Sequence, residues 1–236
     1  MEISNIKANK KLLSYQEAIV KKIVKIADYM FKNDVQLKFS GFLLYGPPGN
    51  GKTEIAKQAA ANINMGVPVK ILFLDGSDIA SPRWGEAEEK LKKAFTANSE
   101  NNLPEKRIII FDDIESTLMS RDLNISKEWH FSINSVVFHL LDDIDHSNTL
   151  VIATTNKPEM VDPALVSRLY QIQIPALTKA QLKEFSRISL ENGKFDVDIT
   201  KVLKSLDSKI DRGEINSLRD VEHEILLEVV DMMGEY

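Results

Sequence analysis

Gly46-Pro47-Pro48-Gly49-Asn50-Gly51-Lys52-Thr53 follows the apolar run Phe42-Leu43-Leu44-Tyr45 and precedes a stretch, Glu54 to Asn62, rich in Ala, Lys and Gln. Gly, four residues, Gly, Lys, Thr is the pattern of a phosphate-binding loop. Its glycines let the backbone curl so that successive N–H groups point at phosphate oxygens. The Lys reaches the outer phosphates and the Thr hydroxyl takes a place on Mg²⁺. A buried strand before the loop and a helix after it set the positive end of the helix against the anion. A glycine turn with a chance Lys-Thr is the plainer alternative, and it leaves this context unexplained. The stretch implies a nucleoside-triphosphate site at Pro48, Gly49, Asn50, Gly51, Lys52, Thr53 and Glu54.

Working outward, five apolar runs have strand length: Gly41 to Tyr45, Val69 to Leu74, Arg107 to Phe111, Thr149 to Ala153 and Tyr170 to Ile174. Helical stretches lie between them, chiefly Thr53 to Asn62, Gly85 to Ala97 and Phe131 to Leu141. Upstream, Leu12, Ile19, Ile23, Ile26, Ala27 and Met30 recur at helical spacing among lysines. Strands apolar on both faces and separated by helices imply a parallel sheet covered on each side. After Pro175 the pattern becomes helical only, at Lys179 to Glu191, Ile199 to Lys209 and Ser217 to Met233. The expected fold is α/β: a five-stranded parallel P-loop sheet over residues 41–176, with a small α-helical lid over 177–236.

Composition narrows the chemistry. Without cysteine there is no disulfide framework, thiol nucleophile or Cys-based zinc site. No run is long enough to span a bilayer, and Met1 to Asn9 lack the apolar centre of a signal peptide, so a cytoplasmic location is expected. The net charge is -5, yet residues 1–40 hold eight Lys against four acids. A solvated helix face is the plainer account of that basic segment; a nucleic-acid or partner contact is the other. His130, His139, His146 and His223 show no metal-ligand spacing.

Arg107-Ile108-Ile109-Ile110-Phe111-Asp112-Asp113-Ile114-Glu115 is a strand ending in acids. A carboxylate at the end of a buried strand is costly unless it faces a cation or water. Mg²⁺ beside a triphosphate supplies the cation for Asp112, and the next acid would orient and deprotonate the attacking water. An N-cap acid pair is the alternative.

With these two motifs, Thr149 to Leu169 and the helical tail, the chain resembles a single AAA+ ATPase module from about Lys38 to Ile225. The most specific stretch is Val151-Ile152-Ala153-Thr154-Thr155-Asn156, followed by Asp162-Pro163-Ala164-Leu165. The resemblance implies ATP and Mg²⁺ as cofactors and residues 1–40 as a helical segment contributing to the nucleotide pocket. It implies Asn156 as the polar sensor that holds the attacking water and Arg168 as a finger reaching the nucleotide of a neighbouring subunit. Arg219 resembles a lid arginine that contacts the same subunit's nucleotide. Arginine suits both tasks because its planar fork is always charged and binds phosphate in a bidentate way. A turn residue, a surface ion pair and a helix-surface charge are the respective alternatives.

Three departures stand out. Asp113 replaces the family's usual Glu, which sets its carboxylate roughly 1.3–1.5 Å further back, and Glu115 two residues on is the alternative base. Slow but real turnover is expected. Within Ser81-Pro82-Arg83-Trp84-Gly85-Glu86, Arg83 stands where protein-unfolding members carry an aromatic, and Trp84 follows it. Arg83 and Trp84 are the candidate substrate pore loop, against the alternative of a Trp packed at a helix start. Tyr170 and Gln171 follow Leu169 where the nearest branch often has a second Arg, so the chain mixes features of two branches.

The resemblance implies a homo-oligomeric ring, a hexamer above all, that remodels or unfolds a protein partner without a membrane. A nucleic-acid-associated switch of helicase- or clamp-loader type and a low-turnover assembly scaffold are the alternatives. Forty residues before the phosphate loop leave little room for a recognition domain, so an adaptor is expected from another chain or from the lid.

Overall fold

The computed structural model describes residues 8, 10–33, 40–63, 69–75, 86–95, 106–119, 128–145, 148–193 and 195–233. Strands β1 (Gly41–Tyr45), β2 (Val69–Asp75), β3 (Lys106–Asp112), β4 (Thr149–Thr155) and β5 (Leu169–Gln173) form one sheet in the order β2-β3-β4-β1-β5. Every pairing is parallel. Successive side chains on a strand point to opposite faces, and the runs are apolar at both parities. Leu43, Ile109, Phe111, Val151 and Ala153 therefore build one core, while Phe42, Leu44, Ile108, Ile110 and Ile152 build another on the opposite face.

Helices cover both faces. Helices α1 (Ser14–Asn33) and α2 (Lys52–Asn62) bury Ile23, Ala27, Ile55 and Ala59 against the second core. Helices α3 (Glu86–Phe95) and α4 (Glu128–Asp142) place Leu91, Ile133, Val137 and Leu141 on the first. Burying one such aliphatic side chain contributes about 1.5–3 kcal/mol, which is why these periodic positions dictate how the helices dock. A four-residue helix, α5 (Pro163–Val166), begins where Asp162 accepts from the backbone N–H of Ala164, with Pro at the first turn. The Asp-Pro-Ala-Leu sequence is thus a capped helix start directly before β5.

The tail forms α6 (Lys179–Asn192), α7 (Ile199–Arg212) and α8 (Leu218–Met233). Thr178 and Gln181 form a reciprocal capping box at the start of α6. Leu182, Phe185, Val202, Leu206, Val221 and Ile225 make a third core, which also takes in Leu13 from the segment before α1. The N-terminal segment thereby touches the tail as well as the sheet domain. No helix among the described residues is long and apolar enough to cross a membrane.

The expected α/β fold is present, with shifted boundaries. β3 runs on to Asp112 and β4 to Thr155, because the ladder continues through polar residues after the apolar run stops. β5 starts at Leu169, one residue early, and α4 starts at Glu128, a turn before the apolar periodicity becomes visible.

Candidate functional site

Parallel strands put all their carboxyl ends on one edge, and in this strand order β4 lies between β1 and β3. The loop after β1, the acids ending β3 and the polar end of β4 therefore converge, as ligand sites do in open α/β sheets. A cleft of about 350 Å³ opens there. Its floor is Pro48, Gly49, Gly51, Lys52, Thr53 and Glu54, with Asp112, Asp113 and Asn156 on one wall. Leu12 and Gln16 from the N-terminal segment and Phe185, Leu218 and Arg219 from the tail line the opposite side, with Lys10, Lys11, Lys57 and Glu222 also bordering it.

The loop Gly46 to Thr53 curls through its glycines. Gly49 and Gly51 have φ of 73° and 85°, in the left-handed region that side chains disfavour. A Cβ on Gly51 would also lie 2.7 Å from Gln16 Nε2. Gln16 is wholly buried, accepts from the Leu13 N–H and donates to the Asn50 carbonyl at 3.0 Å, so it ties the N-terminal segment to the loop. Asn50 itself turns its side chain away from the cleft and donates to the Pro175 carbonyl at 3.1 Å.

Lys52 is buried at the start of α2, and its Nζ donates to the Gly46 and Pro47 carbonyls at 2.9 and 2.8 Å. Burial pushes its pKa down, while Asp113, Glu115 and Asp112 pull it back up and Arg219 adds to the depression. An ammonium held in partly dry surroundings by carbonyls alone is ready to gain from an anion.

The acids are arranged by β4. Thr53 Oγ1 donates to Asp112, 2.8 Å from Oδ1 and 3.1 Å from Oδ2. Asn156 Nδ2 donates to Asp113 Oδ1 at 2.8 Å. Asp113 has φ 48° and ψ 53°, the sole non-glycine with positive φ among the described residues. Such a backbone costs of order 1–3 kcal/mol and turns the Asp113 carboxylate into the cleft. Asp113 keeps part of its surface in solvent; its partial burial raises its pKa from the ordinary aspartate value, Asp112 and Glu115 push it the same way, and Lys52 opposes them. Glu115 is placed differently. It does not line the cleft; its Oε1 accepts from the Asn156 backbone N–H at 3.0 Å, and Oε2 is buried without a hydrogen bond among the described residues. Glu115 clamps the turn carrying Asn156.

Asp112 and Thr53 offer a carboxylate and a hydroxyl side by side, hard oxygen donors that suit Mg²⁺ sharing its remaining positions with phosphate oxygens and water. Lys52 supplies the charge beside them. This donor set fits a magnesium–nucleotide complex.

The two candidate arginines part company. Arg219, exposed at the start of α8, lines the cleft and makes no hydrogen bond or ion pair among the described residues. Arg168 does not line the cleft. It grips Asp142 with Nε and Nη2 at 2.7 and 2.8 Å, donates Nη1 to the Ala164 carbonyl and lies over the Phe138 ring. Arg83 and Trp84 fall outside the described residues.

Gln16 and Thr154 carry no weight in the sequence reading. Thr154, wholly buried, donates to Asp112 Oδ1 at 2.6 Å and accepts from the Asp113 N–H at 3.1 Å. Consecutive threonines ending an apolar strand are the signal that could have revealed it.

Comparison with known proteins agrees with this geometry. A Cell division cycle protein 48 homolog from Archaeoglobus fulgidus is 29% identical over 211 residues, covering 83% of this chain and 27% of that protein. Ribosome biogenesis ATPase RIX7 from Saccharomyces cerevisiae is 30% identical over 180 residues, 74% of this chain and 19% of that protein. A protein of Corynebacterium jeikeium described as an AAA ATPase forming ring-shaped complexes is 30% identical over 128 residues, 53% of this chain and 25% of its own length. The chain thus spans less than a third of each of these relatives. Residues 42–176, more than half of the 236, match the family described as ATPase family associated with various cellular activities (AAA). Because that match runs over the same strands and loops that build the cleft, the chain belongs to the AAA family of ATPases.

Proposed function

We propose that the protein binds ATP with Mg²⁺ in this cleft, hydrolyses it, and uses the cycle as one subunit of a ring that remodels a protein partner. The supporting observation is the unbroken chain of contacts Thr53–Asp112–Thr154–Asp113–Asn156 beside Lys52. Thr53 and Asp112 would hold Mg²⁺, which when bound supplies charge neutralisation for the phosphates. Lys52 moves from its two carbonyls to the outer phosphates. Asp113, with its pKa raised and its carboxylate held by Asn156, takes the proton of the attacking water. The N-terminal segment, 1–40, contributes Leu12 and Gln16 to the pocket of the α/β domain, 41–176, and the lid, 177–236, contributes Phe185, Leu218 and Arg219, with Arg219 reaching the same subunit's phosphates.

Arg168 faces away from its own cleft and is the natural donor to a neighbour's. Its partner Asp142 is half exposed, so the guanidinium is accessible and would exchange two hydrogen bonds to a carboxylate for two to a γ-phosphate. The ring-forming description of the Corynebacterium relative supports a ring; we propose six as its subunit number. Trp84, with Arg83, remains the proposed substrate-gripping element of a remodeller. The low-turnover scaffold is favoured by one observation: the short Asp113 side chain is already engaged by Asn156.

The test is turnover and assembly measured together. ATP hydrolysis per subunit that rises with protein concentration, in step with a hexamer-sized species in analytical ultracentrifugation, is the expected result. Full hydrolysis by a species that stays monomeric at every concentration would contradict it.

A further inference from the structure

We propose that Thr154 is a positioning residue for both acids of this site, fixing the carboxylate of Asp112 and the backbone of Asp113 through one hydroxyl. The inference rests on the nucleotide site proposed above. A backbone N–H only donates, so at 3.1 Å the Thr154 oxygen must accept from Asp113. Its single proton is then free for Asp112 Oδ1, 2.6 Å away, the length of a charge-assisted bond. No other arrangement satisfies both contacts. The β3/β4 register places Ala153 opposite Phe111, so the next residues, Thr154 and Asp112, are neighbours at the carboxyl edge. Thr154 has no exposed surface, and a β-branched side chain is stiff about its first torsion, so the hydroxyl has a fixed location.

Two consequences follow from that location. Asp112 Oδ1 accepts from Thr53 as well as from Thr154. Thr53 is itself a proposed holder of the metal, so its hydrogen bond to Asp112 is the one that metal binding redirects. The Thr154 bond lies outside the proposed ligand pair, so it keeps the carboxylate anchored at Oδ1 when the Thr53 contacts to Oδ1 and Oδ2 give way. The second consequence concerns Asp113. Its left-handed backbone is held by the Thr154 contact at its N–H and by Ser116, whose N–H and hydroxyl both donate to the Asp113 carbonyl. Without the Thr154 oxygen, one end of the strained residue is released, and the short carboxylate has no spare length to recover its position.

The experiment compares Thr154→Val, which keeps the shape and removes the hydroxyl, with Thr154→Ser, which keeps the hydroxyl. The probe is fluorescent N-methylanthraniloyl-ADP, titrated in EDTA and then across a Mg²⁺ series, with ATP turnover measured in parallel. Thr154→Val is expected to hold its EDTA affinity within about twofold of wild type. Its half-saturating Mg²⁺ should rise about tenfold, the scale of a lost hydrogen bond to a charged group. Its kcat should fall at least tenfold with KM for ATP at saturating Mg²⁺ little changed, and Thr154→Ser should stay within about threefold of wild type on every measure. Wild-type Mg²⁺ dependence in Thr154→Val, an equal loss of affinity in EDTA, or a Ser variant as impaired as Val would each overturn the assignment. If the Val variant does not fold, Thr154→Ala carries the same comparison. Wild-type protein that binds no nucleotide under either condition would overturn the nucleotide site as well, which separates the two failures.

Discussion

Arg168 and Asp142 face each other in a two-pronged pair, Nε to Oδ1 at 2.7 Å and Nη2 to Oδ2 at 2.8 Å, with the guanidinium lying over Phe138. The pair joins the end of α4 to the turn before β5, and neither residue lines its own subunit's cleft. Asp142 is held below the usual carboxylate range by this bond and Arg168 is held above its own ordinary value. Two roles are open to such an arginine, a surface tie or a finger parked on a releasable partner.

Substitution separates them. Arg168→Ala should leave ATP affinity nearly unchanged and lower turnover by about 10³ or more, the scale of arginine fingers in phosphoryl transfer. Asp142→Asn should keep turnover within about threefold, because Asp142 only parks the guanidinium and the amide oxygen can still accept from it. Mixing Arg168→Ala with Lys52→Ala subunits should restore part of the activity, since some interfaces then join an intact finger to an intact loop. An equal loss in Asp142→Asn, with no rescue in mixtures, would assign the arginine a structural role.

Lys52→Ala should weaken ATP binding by about two orders of magnitude, the scale of losing a charge-assisted contact. The variant should stay folded, because the Lys52 ammonium bonds only two loop carbonyls and takes no part in the apolar cores. Titration calorimetry with ATP and a circular-dichroism melt check both halves. Normal affinity would remove the phosphate-loop assignment.

Arg219 gives a contrasting case. It is exposed and without a partner among the described residues, so Arg219→Ala should shift stability by no more than about 0.5 kcal/mol. ATP affinity should nevertheless fall about tenfold through loss of a phosphate contact, with ADP affected less. Unchanged affinity for both would make it a helix-surface charge.

Asp113 predicts a pH-dependent stability effect. Its folded pKa is raised above the unfolded value, so the folded state favours the protonated form. That contribution to stability is fully present below the unfolded pKa and is lost as pH rises through the folded one. Above that titration the ionised group opposes folding, and Asn also tolerates the left-handed backbone well. Asp113→Asn should melt above wild type at pH 7, and the difference should shrink as pH falls through the Asp113 titration. A variant that melts lower at pH 7 would contradict this.

The fold was legible because the sheet is covered on both faces. Runs such as Ile108-Ile109-Ile110-Phe111 are apolar at both parities and need no partner information to be read as buried strands. The phosphate loop and Asp112 were equally open, since both are short motifs whose chemistry lies in adjacent residues. What stayed hidden depends on three-dimensional pairing. The Arg168–Asp142 bond spans 26 residues and exists only because α4 ends beside the turn into β5. Thr154 looks like an ordinary strand residue until the register sets it against Asp112. In the sequence Asp113 is the expected base with Glu115 as the alternative; what only the structure shows is that the Asp113 carboxylate lines the cleft while Glu115 accepts from the Asn156 backbone.

That separation is also the most exposed part of the mechanism. The direct measurement is single-turnover ATP hydrolysis by Asp113→Asn and Glu115→Gln, with ATP affinity determined on the same samples. With Asp113 as the base, Asp113→Asn binds ATP as tightly as wild type and hydrolyses it at least ~100-fold more slowly. Glu115→Gln loses less, because its amide oxygen can still accept from the Asn156 N–H. Wild-type hydrolysis by Asp113→Asn, together with a hundredfold loss in Glu115→Gln, would contradict the account and make Glu115 the base.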